Sequence, residues 1–332
     1  MILRLFRGHD PATILIILLT GAAVWLNSLM EPGHIMIVPE CEPMPLYSLM
    51  ITLLEGSPGL SVAAALILVF ITGALLVNFN TRVFFINERT FLPASLFVLM
   101  SGLFPSLQRF NPVLPAAILL LFALERVMGS YRRQGVAYNF FDASLLIGLA
   151  SFIWFSSIWF FVVVVAGIAL LRTASMREFF LALSGLVAPY IIAAAVFYLM
   201  DGNIIALLDV VEENFKAEAP RYIWSTQGIV IASVIGLLLI VSILHLLAVF
   251  NTKKVKSRKT FSLMIWTFVT AVLVFILLPS VSAEIYWVML LPVVYFLTHF
   301  LVIRREKRTA NILFAVIVIS VIGMQIFQEI IT

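Results

Sequence analysis

Phe140–Leu171 reads FFDASLLIGLASFIWFSSIWFFVVVVAGIALL, and Asp142 is its only charge. The stretch is either one long broken helix or two spans, 140-155 and 157-171, joined only by Ser156 and its neighbours. A hairpin is the reading that keeps the rest of the chain consistent. With a single span here, the strongly basic cluster 253-259 falls outside. Trp154, Phe155 and Trp159 at the turn fit an aromatic belt at a bilayer interface.

Apolar runs surround the hairpin on both sides, at about residues 12-30, 59-79, 91-104, 113-127, 179-200, 228-250, 261-279, 285-303 and 310-328. A spanning helix needs roughly 20 apolar residues. Hydrophobic residues make up 63% of the 332 positions and charged residues 11%, against about 45–50% and about 25% in soluble domains. No soluble core hides that much apolar surface. The expected fold is therefore all-α, a polytopic transmembrane helical bundle of about eleven spans forming a single integral membrane domain over residues 1-332. Arg4 and Arg7 before the first run give it the look of a signal peptide, but no small-x-small cleavage site follows, and it reads as an uncleaved first helix.

Charge sets the orientation. Threading eleven spans from a cytoplasmic N-terminus leaves all but Arg109, Lys216 and Arg221 of the 21 Lys and Arg residues inside, while most of the 17 acids fall outside. That asymmetry is the positive-inside signature. It makes 251-260 and 304-309 basic inner loops and puts the C-terminus outside, in a cell inner membrane. The net charge of +4 lies in short clusters between apolar runs, which argues against nucleic acid and for membrane lipid as the partner.

Two outer loops, 31-58 and 201-227, exceed what connection requires. Leu46–Leu54 is apolar but too short to span, and Ile204, Leu207, Leu208 and Val211 fall at i, i+3, i+4 and i+7. Each predicts an interfacial helix. Pro93, Pro115, Pro189 and Pro292 lie in or near spans and predict kinks that face protein rather than lipid. Ser144 and Gly148, and Gly185 and Pro189, share the small-xxx-small spacing of closely packed helices.

Chemistry-bearing motifs are sparse. There is no GxxxxGK[ST], HExxH or GxSxG, and Cys41 as the sole cysteine rules out disulfide and dithiol chemistry. No metal site and no cofactor are expected. Asp142, His245 and His299 are the buried polar candidates, Asp142 also reading as a helix N-cap and the histidines as residues of similar depth on two spans. Glu125 is expected to pair locally or snorkel beside Arg126. Glu40, Glu42 and Asp201 stand in the outer loops, where a carboxylate can act as general base on an acceptor presented from the outer leaflet.

The pattern Asn139-Phe140-Phe141-Asp142-Ala143-Ser144-Leu145-Leu146-Ile147-Gly148-Leu149-Ala150, then the hairpin, then Met176-Arg177-Glu178-Phe179-Phe180, resembles an uncharacterised family of polytopic membrane proteins from Bacteroidota. More distantly, the Gly-Leu-Ala hairpin, the arginine-led next helix and Pro189 within it are similar to the middle of superfamily C glycosyltransferases. That second resemblance implies a polyprenyl-phosphate-linked sugar as donor, an acidic catalytic residue in the first outer loop, and cations for the lipid phosphate. The candidates are then Glu40, Glu42 or Asp201 as base, with Arg109, Lys216 or Arg221 at the phosphate. In place of an acidic motif directly after the first span this chain has Glu31-Pro32, then Glu40-Cys41-Glu42. The expected role is envelope biogenesis, as such a transferase, with a transporter or lipid flippase and a non-catalytic subunit as alternatives.

Overall fold

The computed structural model describes residues 2–8, 10–32, 43–54, 57–83, 86, 90–131, 138–171, 176–200, 204–218, 226–303 and 307–331. Among them the regular structure is helical throughout. In chain order the helices are α1 (Ile2–Arg7), α2 (Pro11–Val24), α3 (Leu26–Met30), α4 (Pro45–Thr52), α5 (Pro58–Val83), α6 (Leu92–Met100), α7 (Val113–Gly129) and α8 (Tyr138–Ser151). They continue with α9 (Phe161–Leu171), α10 (Met176–Met200), α11 (Ile204–Lys216), α12 (Thr226–Ala248), α13 (Val255–Leu277), α14 (Tyr286–Ile303) and α15 (Lys307–Ile331).

Six helices, α5, α10 and α12–α15, are long and apolar enough to cross a membrane. The other five expected spans are shorter helices, α2, α6, α7, α8 and α9: turns and breaks consume part of the runs behind α2, α6, α8 and α9, whereas α7 takes in the whole of run 113-127. Run 12–30 breaks at Trp25 into α2 and α3, and α1 precedes it. The Trp25 ring is fully buried and its Nε1–H donates to Ser101 Oγ at 2.8 Å.

The decisive stretch is a hairpin. α8 ends at Ser151, the chain turns through Phe152–Trp154 and a 3-10 segment, and α9 runs back. Gly167 of α9 reaches Val127 near the end of α7, and Gly129 of α7 lies against Asn139 at the start of α8, so α8 and α9 share that end. α8 and α10 touch backbone to backbone. A Cβ on Gly185 would lie 2.3 Å from the Phe141 carbonyl oxygen, and one on Gly148 2.8 Å from that of Leu186. Here the small residues are a geometric requirement of the crossing. All four prolines are buried, as kinks facing protein require.

α14 is the innermost of the long helices. It is walled by α6, α7, α12 and α13, and Trp287, Tyr295 and Phe296 are among its fully buried side chains. The Tyr295 hydroxyl donates to the Leu76 carbonyl of α5 at 2.6 Å. α6 is buried along its entire length and continues as an irregular strand of backbone through Ser101–Gln108. Non-helical backbone at membrane depth survives only inside protein. At the periphery α10 and α12 expose Ile191, Ile192, Leu199, Leu237, Ile240 and Leu244, a surface made for hydrocarbon.

Candidate functional site

The unwound segment after α6 organises one end of the bundle. Its polar atoms are taken up by side chains from distant helices. Ser28 Oγ donates to Gln108 Oε1 at 2.7 Å, Gln108 Nε2 to the Val24 carbonyl at 3.2 Å, Tyr286 OH to the Met100 carbonyl at 2.8 Å, and Gln325 Nε2 to the Gly102 carbonyl at 2.8 Å. Asn111 Oδ1 accepts from the Leu114 amide at 3.1 Å and so starts α7. The result is a rigid polar floor in otherwise apolar protein.

On that floor Arg109 meets Glu284, with Nη2 3.7 Å from the carboxylate and both side chains only 14–15% exposed. Glu284 owes its position to local rules. Ser282 Oγ accepts the Glu284 amide at 3.3 Å, and an acid in the first turn complements the helix dipole at the entry to α14. Tyr47 of α4 covers the pair. Its ring stacks on Phe110 at 5.9 Å and 12°. Burial, reinforced by the charge of Glu284 and opposed by Arg109, pushes its hydroxyl above the ordinary tyrosine range. The Tyr47 hydroxyl therefore keeps its proton at neutral pH and is a donor.

Beside the pair lies a cavity of about 120 Å³ lined by Phe104, Leu107, Phe275, Ala283, Ile285, Tyr286 and Met289. Its lining side chains are apolar apart from the Tyr286 hydroxyl, which is committed to Met100. Phe275 at its edge is 41% exposed, so the cavity borders the lateral surface.

The same end gathers the two loop helices. Met44 and Phe152 form a small buried cluster with Tyr190, Phe197, Val210 and Val211, and the Leu46 amide donates to the Phe152 carbonyl at 3.0 Å. α4 is thus locked to the hairpin turn and α11 to both. On α11 the protein-facing stripe includes Val210 and Val211, whereas Leu208 is 60% exposed.

Of the residues singled out from sequence, Arg109 is at this site, already compensated by Glu284. Lys216 is exposed and paired with Glu212 one turn earlier, which holds the Glu212 carboxyl below its usual range. Glu40, Glu42, Asp201 and Arg221 lie outside the described residues, as does Cys41. Asp142 is not a buried group. α8 begins at Tyr138, which puts Asp142 in the second turn rather than at the N-cap, half exposed and 3.9 Å from Arg126. Glu125 pairs across to Arg82 of α5 at 2.6 Å instead of locally with Arg126. His245 is half-buried, His299 fully buried, and their rings are 6.4 Å apart at the opposite end of the bundle. Among the described residues no group of three or more His, Cys, Asp or Glu could hold a metal ion.

Glu284, Tyr47 and Gln108 were missed from sequence. A signal existed, since Glu284 opens an apolar run and Arg109 sits in a short proline-flanked connection, both in segments assigned to one side of the bilayer.

These features define an integral membrane protein of apolar helices, whose interior carries one structured polar end. The chain belongs to a family of unknown function, DUF6427, which matches residues 46–332. No curated protein and no solved structure matches it. The matched stretch opens at α4, so Glu40 and Glu42 precede it.

Proposed function

We propose that this is a multi-pass inner-membrane protein of envelope biogenesis that takes a lipid-linked substrate, of the polyprenyl-phosphate sugar kind, at the end where α4 and α11 meet. Eleven crossings, with the basic connections in the cytoplasm, put that end on the outer face. The observation that carries the reading is a largely buried Arg109–Glu284 pair whose Glu284 stands in the chain between Ala283 and Ile285, two of the residues lining a 120 Å³ apolar cavity at the lateral surface. The two together suit a molecule with a hydrocarbon tail and a phosphate head.

The chemistry follows from the pair. A phosphate oxyanion arriving at Arg109 competes with Glu284 for the guanidinium, whose planar donor fork binds either. Capture of the phosphate frees a carboxylate in a poorly solvated site under Tyr47. A carboxylate at this end, Glu284 or one of Glu40, Glu42 and Asp201, then takes the proton of an acceptor hydroxyl. The acceptor oxygen bonds to the anomeric carbon as the carbon–oxygen bond to phosphate breaks and polyprenyl phosphate departs with the electron pair.

The test is photocrosslinking of a diazirine-bearing undecaprenyl phosphate to the purified protein in nanodiscs. Label is expected on peptides from α13 and α14, reduced about tenfold by Arg109→Gln and blocked by Met289→Trp, which fills the cavity. Labelling that neither variant changes would falsify the reading. Orientation is checked separately, because Cys41 is expected to react with an impermeant maleimide in intact spheroplasts.

A further inference from the structure

The opposite end of the bundle holds a second set of polar groups that the reading above does not use. His299 is 1% exposed, and neither ring nitrogen has a hydrogen-bond partner among the described residues. A neutral imidazole carries one donor and one acceptor, and each left unmet in a low-dielectric interior costs roughly 1–3 kcal/mol. The ring cannot turn away to find water. Phe261 of α13 sits edge-on against it at 4.8 Å and 78°, and His245 of α12 is the next ring at 6.4 Å, itself edge-on to Phe300 at 5.2 Å and 81°. Three helices therefore converge on one buried imidazole.

The neighbourhood is cationic. Arg258 precedes Phe261 by three residues, hence lies on the same face of α13 one turn nearer the end of the bundle. Its Nε is buried without a hydrogen-bond partner. Lys253, in the connection between α12 and α13, is close enough for its charge to act at His299. Partial burial lowers the Lys253 pKa from its ordinary value. Among the described residues no carboxylate pairs with Lys253 or Arg258, whereas Arg82, Arg109, Arg126 and Lys216 each have one. A metal ion is a poor occupant of such a site, because two imidazoles come here with two cations and without a carboxylate or thiolate. An oxyanion draws charge-assisted hydrogen bonds from Arg and Lys and accepts the N–H of the His299 imidazole, while a protonated phosphate oxygen donates to its other nitrogen.

Depth narrows the class. His245 lies one turn from the end of α12 at Ala248, and His299 one turn from the end of α14 at Ile303. A helical turn is ~5.4 Å, which places the imidazoles just beneath the level where phospholipid phosphates lie. We propose that His245, Lys253, Arg258 and His299 form a binding site for a phosphate group, the chemistry shared by an anionic phospholipid head and inorganic phosphate, where α12, α13 and α14 meet. The site is at the other end of the bundle from the Arg109–Glu284 pair and stands independently of the function proposed for that end.

The chain has four histidines, few enough for ¹⁵N-histidine NMR of the full-length protein, with assignment by single substitution. Three vesicle preparations separate the sources: phosphatidylcholine alone, phosphatidylcholine with phosphatidylglycerol, and phosphatidylcholine with inorganic phosphate. A shift of the His299 nitrogens with phosphatidylglycerol only identifies a lipid head, and a shift with inorganic phosphate identifies the free anion. Either supports the site. Arg258→Gln and Lys253→Gln replace no residue of the ring cluster, and each is expected to raise the half-saturating concentration about tenfold. No shift with either phosphate source in folded protein overturns the proposal. So does an unchanged shift in the Arg258→Gln/Lys253→Gln double variant, or a His299 response to zinc alone.

Discussion

α12 and α14 invert the rule that holds in water. α12 has the higher mean hydropathy, 2.8 against 1.9, yet 17% of its apolar stretch is buried inside the protein against 89% for α14. In a soluble domain the more apolar helix goes to the core. In a bilayer the surroundings are as apolar as leucine, so burial is decided by packing and by polar groups that must find partners. α14 carries Tyr295, bonded to the Leu76 carbonyl, and Tyr286, bonded to the Met100 carbonyl, with the entry residue Glu284 just before it, and is central. α12 offers Ile, Leu and Val to the outside.

The contrast can be broken most directly at glycines. Gly185→Leu drives a side chain into the Phe141 backbone and is expected to cost more than ~3 kcal/mol, seen as loss of the monodisperse peak in fluorescence-detected size exclusion. At Gly236 on α12 an added Cβ meets no atom within 4 Å, and Gly236→Leu is expected to stay within about 0.5 kcal/mol of the parent. Equal losses at the two positions refute the division into packed interior and lipid-facing rim.

Charges sharpen it next. Glu284→Gln leaves Arg109 without its carboxylate in a largely buried site, an expected loss of about 2 kcal/mol in chemical denaturation in mixed micelles, partly recovered by adding Arg109→Gln. Arg82→Gln breaks a pair whose arginine is 62% exposed, and is expected to change stability by less than about 1 kcal/mol.

The smallest effects come from hydroxyls. Tyr295→Phe removes a buried bond between α14 and α5 and is expected to lower the melting temperature by an amount corresponding to about 1–1.5 kcal/mol. Ser242→Ala on α12 removes only a bond to the Leu238 carbonyl of its own helix and is expected to be near neutral. A Ser242→Ala loss matching that of Tyr295→Phe means that the inner face of α12, where Ser242 is fully buried, is packed as tightly as α14.

The residues that announced themselves in the sequence did so through local rules. Trp154–Trp159 marked the hairpin turn because aromatic and serine residues interrupt an apolar run there, and the i, i+4 pattern near Val211 located α11. The small-xxx-small spacing at Gly148 and Gly185 pointed to close helix approach without naming the partner, which is the α8–α10 crossing. What was illegible is tertiary. Nothing near Arg109 points to Glu284, nothing near Arg126 separates Glu125 from Asp142 as its partner, and hydropathy cannot rank α14 above α12 for burial when lipid and core share one polarity. That runs 91-104, 113-127, 140-155 and 157-171 are short was plain, but the break points were hidden, because an apolar run records where hydrocarbon is tolerated and not where the backbone unwinds.

The unwound stretch after α6 also sets a timetable for biogenesis. Its carbonyl at Gly102 waits for Gln325, and that at Met100, already bonded to the Leu103 amide, gains Tyr286 as a second donor, both residues translated long after them. Until α15 leaves the ribosome, the early helices hold a peptide group that lipid cannot satisfy. The amino-terminal half is thus an unfinished object while it is being made, dependent on translocon or chaperone shelter, and the last two helices close the fold from within rather than being added to its edge.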